Sequence, residues 1–147
     1  MMIEHKLPAR KARVFLIDDS QELRESLRTL LESQPDFEVS GEAATVESAL
    51  EGIASSKPDL VVLDIQMGAQ TGFDVLRQLQ SASPSVRVLI LSMYADSLYA
   101  GAAVQGGARG YLTKCGPPGR IVRALRRILS GKSYFPRVRG ARSEAMT

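Results

Sequence analysis

The sequence predicts an α/β fold in which a parallel five-stranded sheet is covered by helices on both faces, a three-layer (βα)5 sandwich. Three observations predict this fold. Short apolar runs alternate with stretches of helical periodicity along the chain. Residues 60–63 (LVVL) form an unbroken apolar run, which is typical of a central parallel strand with both faces buried. The 147 residues are enough for one domain with its own core and too few for two.

The start of the chain predicts a strand, a helix and a second strand. Residues 13–17 (RVFLI) form a short apolar run, and residues 20–34 carry leucines at helical spacing. Pro35 closes that helix, because proline lacks an amide hydrogen and has a fixed φ angle. Residues 37–43 then predict the second strand.

The middle of the chain predicts a second helix, the third strand and a third helix. The second helix has apolar residues at helical spacing from Val46 and ends before Pro58. The LVVL run is the third strand, and a loop that contains glycine follows it. The third helix has apolar residues three positions apart from Phe73 onward and stops before Pro84.

The last part of the chain predicts two strands and two helices. Residues 86–91 (VRVLIL) are the fourth strand, and residues 98–105 form a weaker, alanine-rich helix that a pair of glycines ends. Residues 110–113 are a short fifth strand. A pair of prolines then opens the last helix, which has five aliphatic residues on one face.

Five strands that alternate with five helices imply βαβ units and therefore a parallel sheet. The flavodoxin-like strand order 2-1-3-4-5 is the leading candidate, because known five-stranded folds share it; the spacing alone does not dictate it. Residues 1–12 and 132–147 have little apolar periodicity. We therefore predict a basic N-terminal tail over 1–12, one domain over 13–131 and a C-terminal linker or tail over 132–147.

The composition excludes several classes of function. The single cysteine, Cys115, has no partner for an internal disulfide, which indicates a reducing, cytoplasmic location. No apolar run approaches the ~18 residues of a membrane span, so no membrane contact is expected. The only histidine, His5, lies in the polar start of the chain. Histidine-based triads and metal clusters are therefore disfavoured, and the chemistry is expected to use carboxylates, hydroxyls and lysines.

The net charge of +3 is unevenly distributed. Residues 1–96 hold nine Lys and Arg against fifteen Asp and Glu, whereas residues 97–147 hold ten Lys and Arg against a single Glu. This split indicates either an acidic ligand site with a basic contact surface, or a solvated helix face with a basic tail. The arginines of the last predicted helix favour nucleic-acid binding only weakly, since no base-reading motif accompanies them. They are Arg120, Arg123, Arg126 and Arg127.

Polar side chains follow four of the predicted strands at the point where each strand ends. Asp18 and Asp19 follow the first strand, Asp64 the third, Ser92 the fourth and Lys114 the fifth. In open α/β sheets ligands bind beyond the carboxyl ends of the strands, and in the expected order these four strands are neighbours. We therefore expect the five side chains to converge on one pocket. The two adjacent aspartates have an alternative role as helix caps.

Three carboxylates in one pocket require compensation. Two charges ~4 Å apart at an effective dielectric constant of ~20 repel by ~4 kcal/mol, so three such pairs approach the ~5–15 kcal/mol stability of a whole domain. A proton, a lysine or a divalent cation must offset this repulsion. Oxygen ligands with open positions favour Mg²⁺, whose open positions phosphate oxygens commonly fill. The sequence thus predicts a phosphoryl-acceptor pocket in which Asp18 and Asp19 hold the metal, Asp64 attacks phosphorus, and Ser92 and Lys114 hold phosphate oxygens.

Four segments carry a recognisable family pattern: VFLIDDS, LVVLDIQM, LILSMYAD and GARGYLTK. Together they make the chain, over roughly residues 12–131, resemble the bacterial response-regulator receiver domain of two-component signalling. The LSMYAD, GARGYLTK and LSGKSYF segments are most similar to the LuxR/NarL-type subfamily, which carries a helix-turn-helix output domain.

The resemblance implies a site and a reaction. Mg²⁺ would be bound by Asp18, Asp19, Asp64 and the main-chain carbonyl of Gln66. A sensor histidine kinase would phosphorylate Asp64, and small acyl phosphates would substitute for it. The chain would then be a phosphoacceptor that catalyses its own phosphotransfer and dephosphorylation rather than an enzyme with turnover.

The resemblance also implies a switch. Ser92 would move toward the phosphoryl group and Tyr111 would turn inward behind it, although Tyr111 is equally consistent with plain core packing. The surface made by helix 4, strand 5 and helix 5 would rearrange, form a homodimer on phosphorylation and control an output, expected to be transcription. The seventeen residues after Ser130 are too few for a helix-turn-helix domain, so DNA contact would need a domain outside this chain. The chain is expected to be either part of a longer regulator or a stand-alone receiver.

The sequence departs from the family pattern in three places. Gly68 rather than proline follows Met67, which predicts a looser loop. Thr71 replaces the usual acidic residue, and Cys115 and Gly116 separate Lys114 from the following prolines. None of these changes removes a chemical group from the predicted pocket.

Three other functions compete with the receiver prediction. A haloacid-dehalogenase-type phosphatase needs a second aspartate where Gln66 stands. A flavin- or nucleotide-binding module needs a glycine- or hydroxyl-rich phosphate loop where IDDSQE stands. The remaining alternative is a receiver-fold interaction module that works without phosphorylation, which the sequence leaves open.

Overall fold

Five parallel strands form the central sheet of the protein. The computed structural model describes residues 10–67, 70–93 and 97–135. Along the sheet, the second strand of the chain lies at one edge and is followed by the first, third, fourth and fifth strands, and every neighbouring pair is parallel. This confirms the predicted order 2-1-3-4-5. The strands are β1 (Ala12–Ile17), β2 (Phe37–Ala43), β3 (Leu60–Asp64), β4 (Arg87–Ser92) and β5 (Gly110–Thr113).

Five helices connect the strands close to the predicted positions. They are α1 (Gln21–Glu32), α2 (Val46–Ser56), α3 (Gly72–Ala82), α4 (Ser97–Gln105) and α5 (Gly119–Leu129). Side-chain caps set two of the starts: the Ser20 hydroxyl accepts a hydrogen bond from the amide of Leu23, and the Thr45 hydroxyl accepts one from Ser48, both at 3.2 Å. In the described part of the chain, no helix has the length and apolar character needed to cross a membrane.

The sheet divides the core into two layers, because successive residues of a strand point to opposite faces. On β1, Phe15 and Ile17 contact the layer under α2, α3 and α4, whereas Val14 and Leu16 contact the layer under α1 and α5. All five residues of β3 are buried, as the unbroken LVVL run predicts. This two-sided burial fixes the sheet and holds the ends of its strands in place.

A short hairpin separates β3 from α3. Gln66–Met67 pairs antiparallel with Gln70–Thr71, where the sequence predicts only a loop. Two-residue strands are too short to show a period of two, which explains why the pattern did not predict them. Gly68, with its predicted loosening of this loop, lies outside the described residues.

The segment after α5 contacts the free edge of β5. Tyr134 donates its amide hydrogen to the carbonyl of Arg109 at 3.0 Å and accepts a hydrogen bond from the amide of Tyr111 at 2.9 Å. It thereby forms a parallel bridge with Gly110, and Phe135 packs against the core. The predicted boundary at residue 131 stays a prediction, but residues up to 135 pack on this edge.

Candidate functional site

The candidate site lies at the edge of the sheet where the parallel strands end. The register places Ile17 beside Leu63, and Ser92 beside Thr113. The residues that directly follow or close these strands are therefore neighbours. Asp18, Asp19 and Asp64 each place a carboxylate oxygen within 4.8 Å of the others, as the sheet-edge argument predicts.

Asp18 is almost completely buried and is held through its backbone and one carboxylate oxygen. Its amide donates to the carbonyl of Ala43 at 3.1 Å, and its Oδ1 accepts a hydrogen bond from the amide of Ser20 at 2.8 Å. Its Oδ2 is buried and has no hydrogen-bond partner among the described residues. Since Ser20 caps α1, neither aspartate has the helix-cap role that was the alternative for them.

Asp64 is a buried carboxylate at the end of β3. It is 2% exposed, and its Oδ1 accepts a hydrogen bond from the amide of Gln66 at 3.0 Å. Burial raises the pKa of Asp64 above its usual value, and the charge of Asp18 raises it further. The amide of Gln66 and the ammonium of Lys114 lower this pKa, but they do not outweigh burial.

Lys114 lies between the two buried aspartates. Its Nζ is 3.1 Å from Asp64 Oδ2 and 3.3 Å from Asp18 Oδ2, at 17% side-chain exposure. Its backbone amide donates to the carbonyl of Ser92 at 2.7 Å, which ties it to the end of β4. One ammonium faces two carboxylates and the exposed Asp19 nearby, so these four side chains carry a net negative charge.

The two predicted switch residues are both inside the fold. Ser92 is fully buried at the end of β4. Tyr111, on β5, is also fully buried and packs in the core layer under α2, α3 and α4. Plain core packing and an inward switch position both predict this burial, so the switch role of Tyr111 stays a prediction.

The donor set fits a magnesium ion. Asp18 Oδ2 is a buried acceptor that forms no hydrogen bond within the described residues and has the ammonium of Lys114, 3.3 Å away, as its ion-pair partner. Buried polar atoms normally form hydrogen bonds, so an oxygen with this one long contact can accept a further cation or donor. Three carboxylates with no nitrogen or sulfur ligand are the chemistry that Mg²⁺ prefers.

The structure adds residues that the sequence did not predict. Arg24, on α1, donates a hydrogen bond to the main-chain carbonyl of Asp18 and forms an ion pair with Glu42. Gly72 begins α3 against the strand that carries Asp64: a Cβ there would lie 2.5 Å from the carbonyl oxygen of Asp64. Contacts to main-chain atoms leave no pattern in the sequence, so neither role could be found before the fold was known.

The basic residues of α5 are largely engaged within the chain. Arg126 pairs with Asp36 at 2.9 Å, and Arg127 donates to the carbonyl of Ser133 at 2.9 Å. Arg120 donates to the carbonyl of Cys115 at 3.3 Å. These contacts support the interpretation of α5 as an ordinary charged helix face. A partner surface on α5 stays a prediction.

Comparison with protein families and curated proteins gives consistent matches. The model described as response regulator receiver domain matches residues 14–126. The chain is 32% identical to the uncharacterized transcriptional regulatory protein YxjL of Bacillus subtilis over 132 residues, which cover 90% of this chain and 61% of YxjL. It is 34% identical to the DNA-binding transcriptional activator DevR/DosR of Mycobacterium tuberculosis, over 84% of this chain and 57% of that protein. The chain thus spans about three fifths of the length of these relatives.

Solved structures show the same likeness. A two-component response regulator of the LuxR family from Aurantimonas sp. SI85-9A1 superposes with a TM-score of 0.80 at 34% identity, covering 84% of this chain and 88% of that one. The signal receiver domain of the putative response regulator NarL from Mycobacterium tuberculosis superposes with a TM-score of 0.78 at 32% identity. That match covers 84% of this chain and 99% of the other.

Proposed function

The chain belongs to the response regulator receiver domain family, and from that premise we propose that it accepts a phosphoryl group on Asp64 in a Mg²⁺-dependent reaction. The observation that carries this proposal is the pair of buried carboxylates, Asp18 and Asp64, that share one ammonium, Lys114. A buried cluster of this kind costs stability unless it serves a ligand. A cation and a phosphoryl group together would satisfy all three side chains.

Asp64 is the nucleophile in this proposal. One of its carboxylate oxygens attacks phosphorus, so that a P–O bond forms while the P–N bond of a phosphohistidine on the donor breaks, and the leaving imidazole nitrogen takes up a proton. With acetyl phosphate, the bond that breaks is the P–O bond to the acetate. The hydrogen bond from Gln66 to Oδ1 fixes the orientation of the carboxylate, which leaves Oδ2 beside Lys114.

The metal-binding residues in this proposal are Asp18, Asp19, Asp64 and the main-chain carbonyl of Gln66. When bound, Mg²⁺ supplies positive charge that favours the approach of a phosphoryl group to an acidic pocket. Asp18 and Asp64 offer buried oxygens, whereas Asp19 is exposed at the rim.

Lys114, Ser92 and Tyr111 convert the modification into a signal in this proposal. Phosphorylation replaces the carboxylate of Asp64 by an acyl phosphate that carries a charge of about −2 and three strong acceptor oxygens. Lys114 pairs with one of these oxygens and Ser92 donates its hydroxyl hydrogen to another. These two contacts draw the ends of β4 and β5 toward the phosphoryl group and favour the inward position of Tyr111. The surface of α4, β5 and α5 changes as a result.

A sensor histidine kinase is the phosphoryl donor in this proposal, and the output is transcription. The named relatives are transcriptional regulators and are longer than this chain. DNA contact therefore belongs to a further domain of such a regulator, and the phosphorylated chain pairs with a second copy. The alternative is an interaction module that uses the same fold without phosphorylation.

The test compares the wild-type chain with Asp64→Asn. We expect Mg²⁺ with beryllofluoride to change the amide NMR spectrum or the sedimentation of the wild type, and acetyl phosphate to add one phosphoryl group by mass spectrometry. Asp64→Asn should show neither effect. Asp74→Asn, which changes a half-buried aspartate on α3 that is paired with Arg77, should behave as wild type.

Two outcomes contradict the proposal. A wild-type response that persists in Asp64→Asn shows that the acceptor is another residue. A wild type that binds neither Mg²⁺ nor beryllofluoride favours the phosphorylation-independent interaction module.

A further inference from the structure

We propose that Arg24 is a positioning residue for the metal pocket: its guanidinium holds the main chain of Asp18 so that one carboxylate oxygen stays free to bind the cation. The inference rests on the proposed Mg²⁺ site and adds to it a residue on α1 that lies outside the predicted ligand set. Arg24 is 14% exposed, so its charged group is largely withdrawn from solvent.

Arg24 makes two directed contacts from one guanidinium. One of its terminal nitrogens donates to the main-chain carbonyl of Asp18, and its Nε donates to Glu42 Oε1 at 2.9 Å. The planar guanidinium fixes the angle between these bonds. Arg24 therefore links the residue that follows β1 to a residue of β2.

Three hydrogen bonds then define the position of Asp18. Its amide donates to Ala43, its carbonyl accepts from Arg24, and its Oδ1 accepts from Ser20. The remaining oxygen, Oδ2, has no hydrogen-bond partner among the described residues and lies 3.3 Å from the ammonium of Lys114. The main chain and one carboxylate oxygen are fixed by the protein, and the other oxygen remains for a ligand.

Glu42 anchors the guanidinium. It lies beside Leu16 in the register of β1 and β2, one residue before Ala43, whose carbonyl binds the amide of Asp18. Its second carboxylate oxygen accepts a hydrogen bond from Arg28 at 2.7 Å. Burial opposes the ionised form of Glu42, but the two arginines outweigh it and hold the pKa of Glu42 below its usual value.

Arg28 provides a matched control for Arg24. Both arginines are on α1 and both form ion pairs with Glu42, but the ion pairs of Arg28 within the described residues are with Glu42 and Glu32 and do not reach Asp18. The pair of variants Arg24→Gln and Arg28→Gln therefore differs in the one contact that the inference depends on.

The test is a calorimetric titration of the full chain with MgCl₂ alone, together with thermal unfolding of each variant. Loss of a residue that orients a metal ligand typically costs 10–100-fold in metal affinity, and we expect Arg24→Gln to raise the Mg²⁺ dissociation constant about tenfold. Arg28→Gln should leave it within about twofold of wild type. Both variants should lose thermal stability because both lose an ion pair with Glu42, and Arg24→Gln should lose more because it also loses the bond to the Asp18 carbonyl.

The outcomes separate this inference from the proposed function. An unchanged Mg²⁺ affinity in Arg24→Gln, or an equal loss in both variants, overturns the positioning role and leaves the metal site intact. A wild-type chain that does not bind Mg²⁺ overturns both. Should Arg24→Gln fail to fold, Arg24→Lys is titrated in its place, and the same two outcomes apply. Lysine keeps the charge but lacks the planar guanidinium that bonds Glu42 and Asp18 at the same time.

Discussion

Lys114 is the residue on which the electrostatics of the site depend. Within the described residues, it is the cation paired with both Asp18 and Asp64. Removing one partner of a buried ion pair leaves an uncompensated buried charge, which costs more than the intact pair contributes. Lys114 therefore stabilises the chain without metal and is also the proposed partner of the phosphoryl group.

Lys114→Ala separates these two roles. Without metal, we expect the free energy of unfolding at neutral pH to fall by about 3 kcal/mol, because two buried carboxylates lose their counterion. Mg²⁺ affinity should be retained, since the carboxylate oxygens remain, whereas the structural response to beryllofluoride should weaken. Urea unfolding, Mg²⁺ titration and the amide NMR spectrum measure the three quantities.

Lys132→Ala serves as the control, because Lys132 is exposed and far along the chain from these aspartates. It should match the wild type in all three measurements. A Lys114→Ala chain that responds fully to beryllofluoride would contradict the role of Lys114 in the switch.

At the residue scale, the position of the aspartates at the ends of the strands predicted the carboxylate cluster but not the residues that support it. Asp18, Asp19 and Asp64 come together because parallel strands end at one edge, which the apolar pattern predicts once the strand order known for such sheets is assumed. Arg24 and Ser20 act on main-chain atoms of the loop after β1. Such contacts depend on the conformation of the loop, which no periodicity records.

At the element scale, the start of α3 fits tightly against β3. A Cβ on Gly72 would lie 2.5 Å from the carbonyl oxygen of Asp64 and 2.7 Å from Cα of Ile65, and both are backbone atoms that cannot rotate away. Gly119 also begins a helix, α5, but a Cβ there meets no atom within 4 Å. The two glycines therefore occupy similar positions in their helices and differ in the space around them.

We expect Gly72→Ala to destabilise the chain by about 1–3 kcal/mol and to slow phosphorylation by acetyl phosphate, because the strand end that carries Asp64 must shift. Gly119→Ala should be neutral or stabilising by up to about 1 kcal/mol, since alanine is the better helix former. Thermal unfolding and mass spectrometry measure the two effects. Equal behaviour of the two variants would show that the close approach of α3 to β3 has no influence on the site.

The segment after α5 supports a second prediction at this scale. Tyr134 forms two backbone hydrogen bonds with β5, and Phe135 packs against the core layer that contains Tyr111. We expect a chain that ends at residue 131 to have a free energy of unfolding about 2 kcal/mol lower than one that ends at residue 135. It should therefore unfold at a lower urea concentration. Coincident unfolding curves would place the end of the domain at residue 131, as the sequence predicts.

The helices and strands differ in how well the sequence predicts them. The ten main elements have apolar patterns long enough to show a period, and their predicted positions are close to those in the structure. The hairpin at Gln66–Met67 and Gln70–Thr71 and the bridge at Tyr134 involve one or two residues each. Backbone pairing of that length is decided by neighbours that are distant in sequence, so the apolar pattern did not predict it.

At the scale of the whole molecule, ion pairs away from the site stabilise the folded state, whereas the buried carboxylate of Asp64 destabilises it. Asp36 and Asp59 have pKa values below their usual range, chiefly because Arg126 and Arg10 donate hydrogen bonds to them. Their contribution to stability is present above the unfolded carboxyl pKa and is lost as the pH falls. Asp64 behaves in the opposite way, because burial raises its pKa.

The raised pKa of Asp64 means that the folded chain binds this proton more tightly than the unfolded chain does. The corresponding stability is complete below the unfolded carboxyl pKa of ~4 and is lost as the pH rises through the higher folded pKa. At neutral pH without metal, the ionised Asp64 therefore costs the fold stability. A substitution at residue 64 does not affect the ion pairs of Asp36 and Asp59. Their contributions to stability therefore cancel when the wild type is compared with a variant at residue 64.

Asp64→Asn should therefore be more thermostable than the wild type at neutral pH in EDTA, and the difference should vanish as the pH falls toward ~4, where the wild-type carboxyl is also neutral. Added Mg²⁺ should reverse the advantage. A cation that binds only the folded chain stabilises it by about 2.7 kcal/mol at a concentration one hundred times its dissociation constant, and the variant lacks one of the ligands. Circular dichroism melting curves across pH, with EDTA or MgCl₂, measure both effects. If Asp64→Asn melts below the wild type in EDTA at neutral pH, the carboxylates are not in electrostatic conflict, and the physical case for a cation in this pocket fails.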